Sequence, residues 1–299
     1  MIVMSDVSGR ARPAGRESAA LVAGKYHLLT ELGRGGMAVV HAAIATGMGG
    51  FTKLVVLKRA RAADLADRPE AVRTSLNEAR ISARMNHPNV VQVYEVYEEQ
   101  GLPVIVMEYL DGQPLSLLLS RHFKDPTSLP ELPLNVLCRA LEGLQYAHSL
   151  ADFDGRPLNL IHRDVSPQNI MVTYDGQVKL LDFGIAKLDQ ASGDTKTGMI
   201  KGKVAYMPPE QIEGSELDGR TDLFAIGVMI WEVAARKRMW GSQGDAAVIR
   251  RLSLHDVPCL RAAAPEASEE LVRICKKATA TARAERYESA QALLADLQA

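Results

Sequence analysis

The chain has 299 residues, of which 47% are hydrophobic and 24% are charged, and its formal net charge is −1. A chain of this size can bury a core without disulfides or structural metals, and its charge balance argues against a nucleic-acid-binding protein. The three cysteines, Cys138, Cys259 and Cys275, lie far apart and form no metal-ligand spacing. Such sparse cysteines are typical of a reducing compartment.

The sequence predicts neither a secretory signal peptide nor a membrane-spanning segment. Residues 1–24 are rich in Ser, Gly, Ala and Arg, which predicts a disordered leader. The most apolar stretch, Leu223 to Trp231, is far too short to cross a bilayer. We therefore expect a cytoplasmic protein without membrane contact of its own, or the intracellular domain of a longer chain.

The first third of the chain predicts a mainly antiparallel sheet with one helix. "YHLLTELG" and "AVVHAAIA" read as strands on either side of a glycine turn, and "KLVVLKRA" reads as a third strand. Residues 68–85 have apolar positions at helical spacing, with Pro69 in the first turn. "NVVQVYEVYEE" and "PVIVMEYL" predict two further strands.

After Asp111 the pattern becomes helical. "LNVLCRALEGLQYAHSL" predicts an amphipathic helix, and "DLFAIGVMIWEVAA" predicts a helix buried on nearly every face. "NIMVTYDGQVKLLDFG" predicts a hairpin with Asp175-Gly176 as a two-residue turn. Residues 189–203 lack periodicity and predict a mobile loop. The fold class is therefore α+β, with a sheet-rich first third and a helical remainder.

Two features of the first third could bind phosphates. The glycine-rich turn in "LGRGGMAVV", Leu32 to Val40, would let backbone N–H groups approach phosphate oxygens, although it could equally be a plain hairpin turn. Lys58 on the third strand and Glu78 on the helix could form an ion pair that directs the lysine at phosphate. Considered alone, a lysine on a strand or a glutamate in the middle of a helix is usually exposed to solvent and has no such role.

Three residues further on have the chemistry of phosphoryl transfer. Asp164 in "HRDVSPQN" could accept a proton from an attacking hydroxyl, while Asn169 and Asp182 offer the oxygen ligands that magnesium prefers. Each could also be an ordinary turn or cap residue. The ordered series of glycine loop, Lys, Glu, Asp, Asn and Asp-Phe-Gly is difficult to obtain by chance.

With "HPNVV", "VMEYLDG", "YMPPE", "DLFAIG" and "RYESA", residues 26–297 resemble the eukaryotic-like Ser/Thr protein kinases of bacteria. The resemblance implies a bilobal fold, with an N-lobe at 26–110, a C-lobe at 111–297 and the nucleotide between them. It also implies ATP- and Mg²⁺-dependent phosphorylation of protein Ser/Thr hydroxyls in bacterial signal transduction, with Mn²⁺ as an alternative metal. A transient homodimer would permit autophosphorylation.

The resemblance implies a role for each matching residue. Lys58, held by Glu78, would bind the α- and β-phosphates. Asp164 would orient the substrate hydroxyl and accept its proton, and Asn169 and Asp182 would hold the metal. The adenine and its phosphates would contact the gatekeeper Met107, the hinge residues Glu108 and Leu110, the apolar Val56 and Met171, and the loop residues Leu32, Gly33, Arg34, Gly35, Gly36, Met37, Ala38, Val39 and Val40.

Further family contacts concern the catalytic loop. Asp222 would brace this loop from the central helix, and Glu210 would pair with Arg286. Arg163, next to Asp164, implies activation by a phosphate on the polar loop, with Thr195 and Thr197 as the candidate sites. The alternative is that these are ordinary polar loop residues.

The sequence departs from the family at the catalytic loop. Ser166 stands where the family has a lysine, and Lys203 stands where it has a threonine that meets this lysine. We expect that Lys203 supplies the missing cation and Ser166 the hydroxyl, the alternative being two unrelated substitutions. Ala38, Val56 and Pro208 are smaller departures, at a loop glycine, in the adenine pocket and before Pro-Glu.

Three other functions compete with this interpretation. A catalytically silent scaffold is disfavoured because all five central residues are present, and a small-molecule kinase because the "YMPPE" and "DLFAIG" segments belong to protein-substrate kinases. Tyrosine specificity is disfavoured by Pro167, although the missing catalytic-loop lysine removes one marker of the Ser/Thr class.

Overall fold

The computed structural model describes residues 21–35, 38–61, 76, 79–183 and 204–299. Two compact units divide this part of the chain. The first comprises the described residues up to Asn86 together with Val91–Asp111, and the second comprises His87–Val90 and Gly112–Ala299. The division after Asp111 lies one residue from the predicted boundary at 110/111, and His87–Val90 belongs to the second unit.

The first unit contains a six-stranded antiparallel sheet with the strand order β1-β2-β3-β4-β6-β5. The strands are β1 (Leu21–Val22), β2 (Tyr26–Arg34), β3 (Ala38–Thr46), β4 (Thr52–Ala60), β5 (Val93–Glu99) and β6 (Leu102–Glu108). All five strands predicted from the sequence are present. The predicted leader ends too late, because Leu21 and Val22 pair with His27 and Tyr26. Most of the predicted helix at 68–85 lies outside the described residues.

One face of this sheet forms a small hydrophobic core. Val55 and Leu57 of β4 and Val104 and Val106 of β6 are at most 2% exposed, with Ala43 of β3 beside them. Because side chains alternate between the two faces of a strand, the intervening residues of β3, β4 and β6 point to the opposite face.

The second unit is mainly helical. Its described helices are α1 (Leu115–Lys124), α2 (Glu131–His148), α3 (Pro209–Ile212), α4 (Arg220–Ala235), α5 (Asp245–Ser253), α6 (Leu260–Ala263), α7 (Glu269–Ala278) and α8 (Ala290–Gln298). From Thr221 to Val233 every residue of α4 is buried, as its apolar pattern predicts. No helix in the described ranges has the length and apolar character needed to span a membrane.

A small second sheet carries the segment around the predicted catalytic loop. It consists of β7 (Gly112–Pro114), β8 (Ile170–Thr173) and β9 (Val178–Leu180). The hairpin between β8 and β9 is confirmed, but its turn is not the predicted two-residue turn. The Thr173 N–H donates to the Gln177 carbonyl (2.9 Å), which leaves three residues in the loop, and Gly176 adopts a φ of +88°. A glycine in this left-handed position closes a three-residue hairpin loop.

Candidate active site

In the first unit, the residues predicted to enclose adenine and bind phosphate share one face of the sheet. Val40 lies opposite Lys58 between β3 and β4, and Val56 lies opposite Met107 between β4 and β6. Strand alternation places all four on the face opposite the buried core described above. An apolar surface with one lysine on it suits a base and its phosphates.

The glycine-rich turn joins β2 to β3. The Gly35 N–H donates to the Ala38 carbonyl (2.9 Å), which closes the turn. Leu32, Gly33 and Arg34 end β2, and the Arg34 guanidinium contacts the Glu31 carboxylate (3.0 Å from Nε). The glycine-rich segment therefore joins two paired strands as a hairpin. This geometry is compatible with both a phosphate-binding loop and a plain hairpin turn.

The predicted hinge begins at Glu108, the last residue of β6. The Glu108 N–H donates to the Gln92 carbonyl (2.9 Å), and the Gln92 N–H donates to Glu108 Oε1 (2.7 Å). These two bonds fix the end of β6 against the segment before β5, and Leu110 lies just beyond it. In the second unit, Met171 pairs with Pro114 and Lys179 in the small sheet.

Asp222 of α4 holds the backbone of the predicted catalytic loop, residues 162–169, through hydrogen bonds. Its Oδ1 accepts the Arg163 N–H (2.9 Å), and its Oδ2 accepts the His162 N–H (2.9 Å) and Nε2–H of His148 (2.8 Å). Burial alone would raise the pKa of Asp222, but the hydrogen bonds from His148 and His162 hold that pKa below its usual value. The carboxylate is therefore ionised, and the predicted brace is confirmed.

His162 anchors the other side of the loop. Its Nε2 lies 2.8 Å from the Leu181 carbonyl, its Nδ1 lies 3.3 Å from the Asp164 N, and its ring lies 4.5 Å from the Phe183 ring. Burial lowers the pKa of His162 despite the nearby Asp222, so the ring is neutral. Because a carbonyl can only accept, the proton is on Nε2. The ring thus connects the loop to the segment that carries Asp182.

Asp164 and Asn169 are joined directly. Asn169 Nδ2 donates to the Asp164 carbonyl (2.8 Å) and to Asp164 Oδ2 (3.0 Å). Since the amide nitrogen is used here, the amide oxygen of Asn169 is the atom left for a metal, and magnesium prefers such oxygens. The Leu181 N–H donates to the Asn169 carbonyl (2.8 Å), one residue before Asp182. The donor set therefore fits a divalent cation.

Two residues of the site have unusual backbone angles. Arg163 has a φ of +63° and Asp182 a φ of +45°, in the left-handed region that non-glycine residues rarely adopt. Such strain persists only where the surroundings impose it, and it concentrates at functional sites. At Arg163 the imposing contacts are the bond to Asp222 and the bond from Gln211 Nε2 to the Arg163 carbonyl (2.9 Å).

Ser166, the main departure in the loop, is 3% exposed. Its Oγ has no hydrogen-bond partner among the residues that the structure describes. A buried hydroxyl without a partner costs about 1–3 kcal/mol. This position therefore has an unmet hydrogen-bonding requirement, close to the predicted catalytic base.

The predicted Glu210–Arg286 pair is also confirmed. Arg286 Nη1 and Nη2 bind Glu210 Oε1 and Oε2 at 2.6 and 2.8 Å, and both residues are buried. Sequence reasoning did not anticipate the contacts of His148 and Gln211. His148 lies 74 residues from its partner, and nothing in the local pattern distinguishes either residue from an ordinary polar one.

Six predicted site residues cannot be placed. These residues, which lie outside the described ranges, are Gly36, Met37, Glu78, Thr195, Thr197 and Lys203. Their predicted roles remain predictions.

In the second unit, an ionised aspartate that holds a strained loop and a carboxylate–amide pair within that loop are features of the protein kinase class. The chain belongs to this family, because the protein kinase domain model matches residues 26–297. The fold is also that of the kinase domain of Mycobacterium tuberculosis PknI, with a TM-score of 0.69 and 26% identity over 94% of this chain and 98% of that one. Members of the family use ATP and a divalent metal.

Two curated relatives differ in their named specificity. The tyrosine-protein kinase MasK of Myxococcus xanthus is 41% identical over 90% of this chain and 42% of its own length. A probable serine/threonine-protein kinase PknB of Bifidobacterium longum is 34% identical over 93% of this chain and 40% of its own length. The chain thus spans about two fifths of the curated relatives that it matches.

Proposed function

We propose that the protein transfers the γ-phosphoryl group of ATP to Ser and Thr hydroxyls of protein substrates in a bacterial signalling pathway. The observation that carries the proposal is the catalytic loop, in which Asp222 fixes the backbone of His162 and Arg163 and Asn169 fixes Asp164. The preorganised carboxylate can orient an attacking hydroxyl and accept its proton.

The two units divide the remaining tasks. In the first unit, the glycine-rich turn and Lys58, with Glu78 as its partner, would bind the phosphates, and the apolar face with Val40, Val56 and Met107 would bind adenine. In the second unit, Asn169 and Asp182 would hold Mg²⁺. A bound Mg²⁺ would neutralise charge on the triphosphate, and Mn²⁺ is the alternative.

The direct test is phosphotransfer with labelled ATP and Mg²⁺. Asp164→Asn keeps the side-chain shape but removes the base, so the signal should be lost. Asp154→Asn, an exposed aspartate ten residues upstream, is the matched control and should retain full activity. A wild-type protein without phosphotransfer would favour the silent scaffold, whereas an active Asp164→Asn variant would contradict the role of Asp164 as the base.

We also propose that Lys203 and Ser166 have exchanged the roles of a cation and a hydroxyl. The buried Ser166 Oγ without a partner among the described residues supports a hydroxyl that bonds when the site is complete. An ammonium directed at charge developing in the transition state would lower the barrier by about 2–4 kcal/mol.

A four-member set tests the exchange: wild type, Ser166→Lys, Lys203→Thr and the double variant. A true exchange predicts two poor single variants and a double variant that recovers activity. Additive losses would reject the coupling, and so would full activity of Lys203→Ala.

Tyrosine is the second candidate acceptor. It is favoured by the 41% identity to a relative named as a tyrosine kinase, and by the absence of the catalytic-loop lysine at Ser166. Pro167 favours Ser/Thr. Phosphoamino-acid analysis of a labelled acceptor protein separates the two, because phosphoserine, phosphothreonine and phosphotyrosine migrate differently.

Regulation would act through Arg163. Its backbone is fixed on both sides, and its guanidinium would pair with a phosphate on Thr195 or Thr197. Autophosphorylation in a transient homodimer would supply that phosphate, and the reaction would take place in the cytoplasm. If so, Arg163→Ala should remove the activation that pre-incubation with ATP gives to the wild type.

A further inference from the structure

A buried carboxylate near the end of α4 has no role in the reaction proposed above. Glu232 is 1% exposed, and both of its oxygens are used. Its Oε1 accepts the Met239 N–H (3.2 Å), and its Oε2 accepts the Tyr206 hydroxyl (2.9 Å) and Nη1–H of Arg238 (2.9 Å). Burial raises the pKa of Glu232, although Arg238 and Tyr206 oppose this rise.

Arg238 connects this carboxylate to the segment that precedes α3. Its guanidinium bonds the Tyr206 hydroxyl as well as Glu232, and it lies over the Phe123 ring, 5.7 Å from the centroid. It is placed there by the end of α4, where Arg236 turns the chain with a φ of +52°. A cation three residues beyond a helix end is usually solvated, whereas Arg238 bonds two buried side chains.

The same turn makes a second contact with that segment. The indole N–H of Trp240 donates to the Ala205 carbonyl (2.9 Å), and Trp240 is 3% exposed. Residues 238–240 therefore hold the short 3-10 helix Val204–Tyr206 through one side chain and one backbone carbonyl. We call residues 238–240 the clamp.

The clamped segment lies beside the proposed base. Tyr206 and Met207 line a small cavity together with Asp164, Arg163 and Gln211. A protein substrate must place its hydroxyl next to Asp164. The position of residues 204–207 therefore affects how the substrate polypeptide around that hydroxyl binds.

We propose that Arg238 is a positioning residue for the protein substrate, and that it acts by holding Tyr206 both directly and through the buried Glu232. The inference rests on the proposed function, because it concerns the same phosphotransfer site. Its effect should fall on the protein substrate rather than on ATP, whose proposed ligands are elsewhere.

The kinetic test uses Arg238→Met, which keeps the length of the side chain and removes its charge. The KM for an acceptor protein should rise about tenfold or more, while the KM for ATP stays within about twofold. Arg238→Lys should restore part of the loss. Combining Arg238→Met with Glu232→Gln should also restore part of it, because no unpaired carboxylate remains. Arg250→Met, an exposed arginine on α5, is the matched control.

A second readout needs no activity. In a Trp231→Phe background all tryptophan fluorescence comes from Trp240, since the chain has two tryptophans. Acrylamide should quench Trp240 more in Arg238→Met than in the parent, and Arg250→Met should leave quenching unchanged. If the wild type proves inactive, the proposed function fails, but this measurement still decides whether Arg238 holds the clamp.

Two results would overturn the inference. One is an acceptor KM and Trp240 quenching that Arg238→Met leaves at the parent values. The other is a KM for ATP that rises together with the acceptor KM and is not rescued by Arg238→Lys, since a general loss of structure would give that pattern.

Discussion

Asp222 offers the sharpest test of the catalytic loop, through the substitution Asp222→Asn. The amide can keep one oxygen where Oδ2 accepts His162 and His148, but its NH₂ group then faces the Arg163 N–H. One buried backbone donor is orphaned, at about 1–3 kcal/mol, and two remaining bonds lose their charge, at about 1 kcal/mol each. Removing a buried charge offsets part of this cost.

We therefore expect Asp222→Asn to lower the free energy of unfolding by about 2–4 kcal/mol, a large share of the ~5–15 kcal/mol typical of a domain. Urea denaturation followed by circular dichroism measures this loss. Because Arg163 adjoins Asp164, kcat should also fall more than the KM for ATP rises. Asp218→Asn is the control. Asp218 is partly exposed, and its Oδ1 accepts the Arg220 N–H (2.9 Å), as an amide oxygen can also do. Its Oδ2 lies 3.5 Å from both Arg220 Nε and Arg283 Nη1, so the substitution weakens only exposed ion pairs and should cost less than about 1 kcal/mol.

The pH dependence has a definite sign. The pKa of Asp222 is lowered in the folded state, so its contribution is complete above the usual Asp pKa of about 3.9 and is lost as the pH falls through the folded value. The stability gap between wild type and Asp222→Asn should therefore narrow below about pH 4. An Asp222→Asn variant with wild-type stability at neutral pH and an unchanged kcat would refute the reasoning.

Three further changes probe the second unit. Arg286→Met leaves the buried Glu210 carboxylate without its cation and should lower the free energy of unfolding, measured by urea denaturation, by about 3–5 kcal/mol. Gly227→Ala places a Cβ 2.7 Å from a side chain of α7 and should cost about 1–3 kcal/mol, whereas Gly244→Ala meets nothing within 4 Å and should be nearly neutral. Asp152→Ala removes two bonds to backbone N–H groups of an exposed hairpin and should lower the melting temperature by no more than a few degrees.

The sequence predicted most of the fold because its patterns are local. The apolar character of "DLFAIGVMIWEVAA" on every face predicts the burial that α4 shows. Alternation of apolar and polar residues predicted the strands of the first unit. The prediction for the β8–β9 turn was wrong only in the number of loop residues, which depends on the φ of Gly176. The hairpin closed by Ala151 and Pro157 was not predicted, since its strand pairing is too short to leave a periodic signal.

Some contacts around the candidate site were predictable, namely the Asp222 brace and the Glu210–Arg286 pair, and others were not. Motif order singled out Asp164 and Asn169, because phosphoryl transfer needs those residue types at that spacing, and the family resemblance added Asp222. The unpredicted bonds are those from His148 to Asp222 and from Gln211 to the Arg163 carbonyl, and both join residues that are far apart in sequence. Arg238 illustrates the same limit, since only the folded chain shows that a cation after a helix end lies on a buried carboxylate.

The most direct test of the account is phosphopeptide mass spectrometry after incubation with ATP and Mg²⁺, with casein as a generic acceptor. We expect the wild type to phosphorylate Ser and Thr of casein and its own Thr195 or Thr197, and Asp164→Asn to phosphorylate none of them. Absence of phosphate with the wild type, or equal modification by Asp164→Asn, would contradict the kinase activity. Phosphate on tyrosine alone would contradict the proposed Ser/Thr specificity.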